Sequence, residues 1–82
     1  MQTTVFDQRK WNLKTFNKIG YDHEQSRLYI FHLNGTIVEF SNIEEEQVYK
    51  LVISVDKERF IRDTLCQSIP HRVIYKEASL SS

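Results

Sequence analysis

The sequence predicts an α+β domain: a three- or four-stranded antiparallel sheet with two helices on one face, in the order β-β-β-α-α with a possible short C-terminal strand. The first half of the chain is rich in β-branched and aromatic residues around an Asn-Gly turn, whereas the second half repeats apolar residues at helical spacing. A length of 82 residues suffices for one hydrophobic core and not for two. Because the helices follow the strands instead of alternating with them, the class is α+β.

The strands are predicted from a hairpin and from the segment before it. Residues 27–33 (RLYIFHL) and 36–40 (TIVEF) flank Asn34-Gly35, and this dipeptide favours a hairpin because both of its residues accept positive φ. Residues 15–22 (TFNKIGYD) precede them across a polar loop and complete a three-stranded meander. Gly20 interrupts this first strand, and we expect it to mark a bulge or a close approach by a helix; the alternative is a glycine that is tolerated at a weak strand end.

The register of the hairpin has two alternatives, which differ in the length of the turn. A two-residue turn places Val38 and Phe40 on the face that carries Tyr29, Phe31 and Leu33. A loop that includes Thr36 moves them to the side of Leu28, Ile30 and His32. Both alternatives leave apolar residues on both faces of the strand at 27–33, so something must cover the second face. The candidates are the N-terminal segment with Phe6, Trp11 and Leu13, the C-terminal residues 73–75, or another molecule.

Two helices are predicted in the second half. Asn42 is the expected N-cap of the first helix, with Glu45 as its capping-box partner. The apolar residues of this helix recur at Val48, Leu51, Val52 and Val55. Asp56 is the expected N-cap of a second helix over 57–69, whose apolar stripe is Phe60, Ile61, Leu65 and Ile69. Pro70 ends it, and residues 71–76 alternate in the manner of a short strand at a sheet edge.

Several short stretches occur in an order and at spacings that resemble the KTSC domain, a small bacterial domain. They are IGYD (19–22), SRLYI (26–30), NGTIVEFSNI (34–43), VYKLV (48–52) and DKERFI (56–61). This domain occurs alone or at the C-terminus of some lysyl-tRNA synthetases, and the resemblance therefore implies RNA binding. The chain departs from the family pattern at Val38-Glu39-Phe40, where the family has two tyrosines, and at Glu58, where it has a glycine.

The chain is expected to divide into an N-terminal segment on or near the sheet (1–13), a KTSC-like domain (14–76) and a flexible tail (77–82). Its net charge is zero, with 11 basic and 11 acidic side chains, which counts against strong non-specific binding to nucleic acid. A single cysteine excludes an internal disulfide and favours a cytoplasmic protein, from a bacterium or phage given the resemblance. No apolar run is long enough for a membrane span, so no membrane partner is expected.

No group of residues predicts catalysis, a cofactor or a metal site. Pro70 separates Cys66 from His71, between a helix and a strand, and no acid is placed to orient the pair. The three histidines lack the spacing of metal ligands. We therefore expect a binding module that is not an enzyme.

Two surfaces are candidates for binding. The first is basic and would contact RNA, with a tyrosine ring for stacking: Lys57, Arg59, Arg62, Lys18, Tyr21 and Arg72. The same helix charges could instead form a solvated face with the ion pairs Arg59–Asp63 and Glu58–Arg62. The second surface is apolar and would contact a protein partner or a second copy of the chain: Tyr29, Phe31 and Leu33.

Overall fold

One antiparallel sheet organises the fold. A computed structural model describes residues 2–75, and the tail predicted at 77–82 lies outside the described residues. Five strands pair in chain order, each with the next. They are β1 (Gln2–Val5), β2 (Phe16–Asp22), β3 (Arg27–His32), β4 (Ile37–Phe40) and β5 (His71–Tyr75). The α+β class is confirmed, but the sheet has five strands and not three or four.

Several helical segments follow or interrupt the strands. They are α1 (Gln8–Trp11), α2 (Glu45–Ile53), α3 (Lys57–Phe60) and α4 (Cys66–Ser68), with a π-helical segment (Ile61–Leu65) between α3 and α4. The predicted second helix is therefore a helical run whose middle turn has π geometry. Across residues 2–75, no helix is both long and apolar enough to cross a membrane.

The helix caps confirm one prediction and correct another. Asp56 caps α3, because its side chain accepts a hydrogen bond from the backbone N–H of Arg59 at 3.1 Å. Asn42 is not the cap of α2, because its backbone is left-handed with φ 57°. Glu44 takes that position, and Gln47 completes the capping box.

The helices pack on one side of the sheet, which we call the inner face. Its buried residues are Phe16, Ile19, Tyr21, Leu28, Ile30 and Phe40, and they form one core with Leu51 of α2 and Leu65 of the π-helical segment. Val55 was predicted within the apolar stripe of the first helix, but α2 ends at Ile53 and Val55 is 83% exposed.

The N-terminal segment adds an edge strand and a short helix that the sequence did not predict. β1 pairs with β2 along the edge of the sheet. Phe6 and Leu13 are buried in the core, where the ring of Phe6 meets that of Phe16 edge-on at 6.3 Å, and Trp11 packs against them. These side chains therefore lie on the inner side and do not cover the opposite face of the sheet.

The hairpin has the longer of the two predicted loops. Leu28 pairs with Phe40 and Ile30 with Val38, so the apolar residues of β4 share the inner face with those of β3. The backbone N–H of His32 donates to the carbonyl of Thr36 at 2.8 Å and closes the loop.

Gly20 lies in regular antiparallel pairing, between Thr3 on β1 and Tyr29 on β3. The irregularity in β2 is between Phe16 and Lys18, and the helices pack on the other face. The prediction of a bulge or a close helix at Gly20 is therefore wrong. Gly20 lies on the face away from the helices and is buried there.

Candidate functional site

The face of the sheet opposite the helices, which we call the outer face, combines aromatic and basic side chains. The strand register places on it Thr3, Val5, Lys18, Gly20, Asp22, Arg27, Tyr29, Phe31, Ile37, Glu39 and Arg72. The helices of residues 2–75 bury their apolar side chains against the inner face. The outer face is thus the face of the sheet that no helix of residues 2–75 covers.

Two aromatic rings stand at the centre of the outer face. Tyr29 and Phe31 are two residues apart on β3, so their side chains project on the same side. Both are partly exposed. Leu33 follows at the end of the strand and is 47% exposed. Tyr29 and Phe31 of the predicted apolar surface therefore share the outer face, whereas Leu33 lies in the turn beyond β3.

Basic side chains flank these rings. The Nζ of Lys18 lies 4.9 Å from the centroid of the Phe31 ring, which is within the range of a cation–π contact. Arg27 and Arg72 come from β3 and β5, and their side chains are 40% and 72% exposed. Lys18 and Arg72 were predicted as site residues, whereas Arg27 was not.

Glu39 is a buried carboxylate between the two arginines, and its residue is only 4% exposed. Its Oε1 accepts from Nε of Arg72 at 3.0 Å, and its Oε2 lies 3.6 Å from Nη1 of Arg27. Burial by itself raises the pKa of Glu39, but hydrogen bonds from Arg72 and Tyr29 and the charge of Arg27 outweigh it and hold the pKa below 4.5. The carboxylate therefore stays charged at neutral pH.

Lys57 was predicted to contact phosphate, but the structure buries it completely. Its Nζ donates to the carbonyls of Val52 and Ser54 at 2.5 and 2.9 Å, and lies 3.8 Å from the ring centroid of Trp11. Burial lowers the pKa of this lysine. Lys57 thus binds carbonyl groups at the C-terminal end of α2 from within the core, and its amine is not available at the surface.

Tyr21 is buried as well, at 8% exposure, so its ring is not a stacking surface. It belongs to the inner face, and its hydroxyl donates to the carbonyl of Ile43 at 3.4 Å. Burial and the nearby carboxylate of Glu45 raise the pKa of this phenol.

Arg59 and Arg62 are exposed on the helical run, and both pair with one carboxylate. Nε of each lies 3.2 Å from an oxygen of Asp63. The predicted ion pair Arg59–Asp63 is confirmed. Glu58, the predicted partner of Arg62, instead accepts hydrogen bonds from the linker between α1 and β2. The predicted basic surface is therefore not one surface: Lys18 and Arg72 lie on the sheet, and Arg59 and Arg62 lie on the helical run.

A cavity of about 270 Å³ lies between the inner face near β5 and the helical run. It is lined mostly by apolar side chains, with Cys66 and His71 among them. Burial raises the pKa of the Cys66 thiol, the reverse of what an activated nucleophile requires. Among residues 2–75 no cluster of His, Cys, Asp or Glu has the geometry to hold a metal ion.

The comparison with known families supports the resemblance seen in the sequence. The family model of the KTSC domain matches residues 14–66 of the 82-residue chain. The chain belongs to the KTSC domain family. No curated protein matches it. The matched span includes β2 to β4 and most of the helical residues, whereas β1, α1 and β5 lie outside it.

Proposed function

We propose that the protein is a binding module for single-stranded RNA, without enzymatic activity, and that its contact surface is the outer face. The observation that carries the proposal is the pair of partly exposed rings, Tyr29 and Phe31, on an open sheet face with Lys18, Arg27 and Arg72 around them. Rings two residues apart on a sheet surface are a recurrent platform for the bases of single-stranded RNA. The occurrence of the family beside lysyl-tRNA synthetases supports the same ligand.

The two kinds of side chain would serve different parts of the ligand. Stacking of one base on an aromatic ring contributes about 1–3 kcal/mol and tolerates any base. Lys18 covers Phe31 in the free protein, and it would exchange this ring for a phosphate when a base stacks there. The three cations outnumber the acids Glu39 and Asp22 on the outer face, which gives local positive charge on a chain of zero net charge.

The test is fluorescence anisotropy at low salt, with a 5′-labelled single-stranded RNA of about ten nucleotides, a length within the range of known single-strand binding sites. Tyr29→Ala is expected to weaken binding by about 1–3 kcal/mol, which is roughly 5- to 150-fold. The matched control is Tyr49→Ala, since Tyr49 is a tyrosine of α2 with 63% exposure. Absence of wild-type binding at low salt, or an equal loss from the control, would contradict the proposal.

Salt dependence tests the charges separately. Each phosphate contact contributes a slope of about −0.7 to a log–log plot of affinity against salt for single strands. Lys18→Gln is therefore expected to flatten the slope by about 0.7. The double variant Arg59→Ala/Arg62→Ala is expected to leave it unchanged, because both arginines lie away from the outer face. If the helix variant alone flattened the salt slope, the RNA-binding site would lie on the helical run and not on the outer face.

Self-association is the second candidate function, and the exposed apolar side chains near Phe31 favour it. Val5 and Leu33 are 68% and 47% exposed. Burial of such side chains against a second copy would contribute about 25 cal/mol per Å². Light scattering on the purified protein separates the candidates: a dimer that Phe31→Glu dissociates without unfolding supports self-association. A monomer that binds RNA supports the first candidate.

A further inference from the structure

We infer that Arg72 is a phosphate-binding fork whose orientation is set by Glu39, so that one nucleotide can place its base on Tyr29 and its phosphate on Arg72. This inference rests on the proposed function and adds to it a positioning residue that makes no contact with the ligand. The outer face has one unusual feature. Glu39 is 4% exposed although no helix within residues 2–75 packs on that side.

The side chains around Glu39 explain its burial. Tyr29, Glu39 and Arg72 are consecutive in one row across β3, β4 and β5. Arg72 and Arg27 approach the carboxylate from two sides, at 3.0 and 3.6 Å. Arg72, Arg27 and Tyr29 therefore surround the carboxylate, and the hydrogen bond to Nε restricts the direction in which Arg72 points.

The atoms used in this contact determine what Arg72 can still bind. Glu39 engages Arg72 through Nε. Among residues 2–75, neither terminal nitrogen of the guanidinium has a hydrogen-bond partner, and the side chain is 72% exposed. Two parallel N–H donors in one plane match two oxygens of a phosphate, which lysine cannot reproduce. A guanidinium held at Nε by a carboxylate is a preorganised form of this fork.

The spacing agrees with a single nucleotide. Tyr29 and Arg72 stand two strand spacings apart, roughly 10 Å between backbones. Both side chains are long and can incline toward each other above Glu39. A base stacked on Tyr29 would thus leave its phosphate within reach of the fork.

Simple electrostatics and orientation predict opposite results for one variant. Glu39→Gln removes a negative charge from the site, so a purely electrostatic role predicts tighter RNA binding. The positioning role predicts weaker binding, because Arg72 loses its charged anchor. A direct ligand contact of Arg72 is tested by Arg72→Lys, which keeps the charge and loses the fork.

The experiment is the same anisotropy titration on the full chain, with the labelled single-stranded RNA. Arg72→Lys is expected to weaken binding by roughly tenfold with an unchanged salt slope, whereas the matched control Arg62→Lys has no effect. Glu39→Gln is expected to weaken binding, and to cause no further loss in the Arg72→Lys background, because it acts through Arg72. Melting temperatures of all variants show that they are folded before binding is compared.

The outcomes separate this inference from the proposed function. Wild-type binding that is lost in Tyr29→Ala but unchanged in Arg72→Lys would overturn the fork and leave the RNA-binding face in place. Tighter binding by Glu39→Gln, or additive losses in the double variant, would overturn the positioning role. Absence of wild-type binding would overturn both the proposed function and this inference.

Discussion

Glu58 joins the helical run to the N-terminal half of the chain, and its removal is expected to destabilise the fold strongly. Its Oε2 accepts from the backbone N–H groups of Lys14 and Thr15, each at 2.6 Å, and from the Thr15 hydroxyl at 2.8 Å. Hydrogen bonds to a charged group contribute about 1.5–3 kcal/mol each. Because the three bonds share one oxygen near the surface, we expect a total of about 3 kcal/mol for Glu58→Ala.

This loss is large for a domain of this size. Total stability at roughly 0.05–0.15 kcal/mol per residue amounts to about 4–12 kcal/mol here. A loss of about 3 kcal/mol corresponds to a fall in Tm of roughly 12–24 °C. Urea denaturation and thermal unfolding followed by circular dichroism measure both quantities.

Arg62→Ala is the control, since the sequence predicts a Glu58–Arg62 ion pair. In the structure Arg62 is 72% exposed and pairs with Asp63, so its removal is expected to cost less than about 0.5 kcal/mol. Equal losses from Glu58→Ala and Arg62→Ala would refute the assignment of Glu58 to the linker. A loss below about 0.5 kcal/mol from Glu58→Ala would refute it as well.

The pH dependence provides an independent check on Glu58. Burial alone would raise its pKa, but the hydrogen bonds from Lys14 and Thr15 outweigh this and hold the pKa below 4.5. An acid with a depressed folded-state pKa contributes stability above its unfolded pKa, and this contribution is lost as pH falls through the folded value. Glu58→Gln is therefore expected to flatten the acid limb of the stability curve.

Three further predictions follow from buried or crowded positions. Lys57→Ala is expected to lower the free energy of unfolding by about 2–4 kcal/mol. It is also expected to shift the fluorescence emission of Trp11, the single tryptophan, to longer wavelength, because the lysine covers that ring. Unchanged emission would show that the contact is absent. Gly20→Ala is expected to change the free energy of unfolding, measured in urea, by less than about 1 kcal/mol, since Gly20 has no positive φ. A larger loss would indicate that the backbone at this position requires glycine. Val55→Asp is expected to be neutral within about 0.5 kcal/mol because Val55 is 83% exposed, and a cooperative loss of structure would contradict this exposure.

The parts of the fold that the sequence predicts well depend on local sequence signals. Asn34-Gly35 marks a hairpin by its own backbone preferences, and Asp56 marks a helix start by its own side chain. The register of β3 and β4 remained open because it depends on one loop residue, Thr36, whose conformation the flanking strands determine. β1 was missed because its four residues are all exposed and show no alternation. Its only signal is pairing with β2.

The candidate site was predictable in its residue types and not in their surroundings. Alternation along β3 places Arg27, Tyr29 and Phe31 on one face, so Arg27 could have been included. The burial of Glu39 depends on arginines from two other strands, so the sequence around Glu39 does not predict it. Lys57 lies within a helix that the sequence describes correctly, but Trp11 and Phe6 of the distant N-terminal segment enclose its amine.

Backbone amide NMR during titration with single-stranded RNA locates the contact surface without altering the protein, and it therefore tests whether RNA binds the outer face. The largest shift changes are expected at Lys18, at 27–31 and at Arg72, on the outer face. Residues 59–63 of the helical run are expected to change little. Shifts concentrated in the helical run, or no shifts at low salt, would contradict the account.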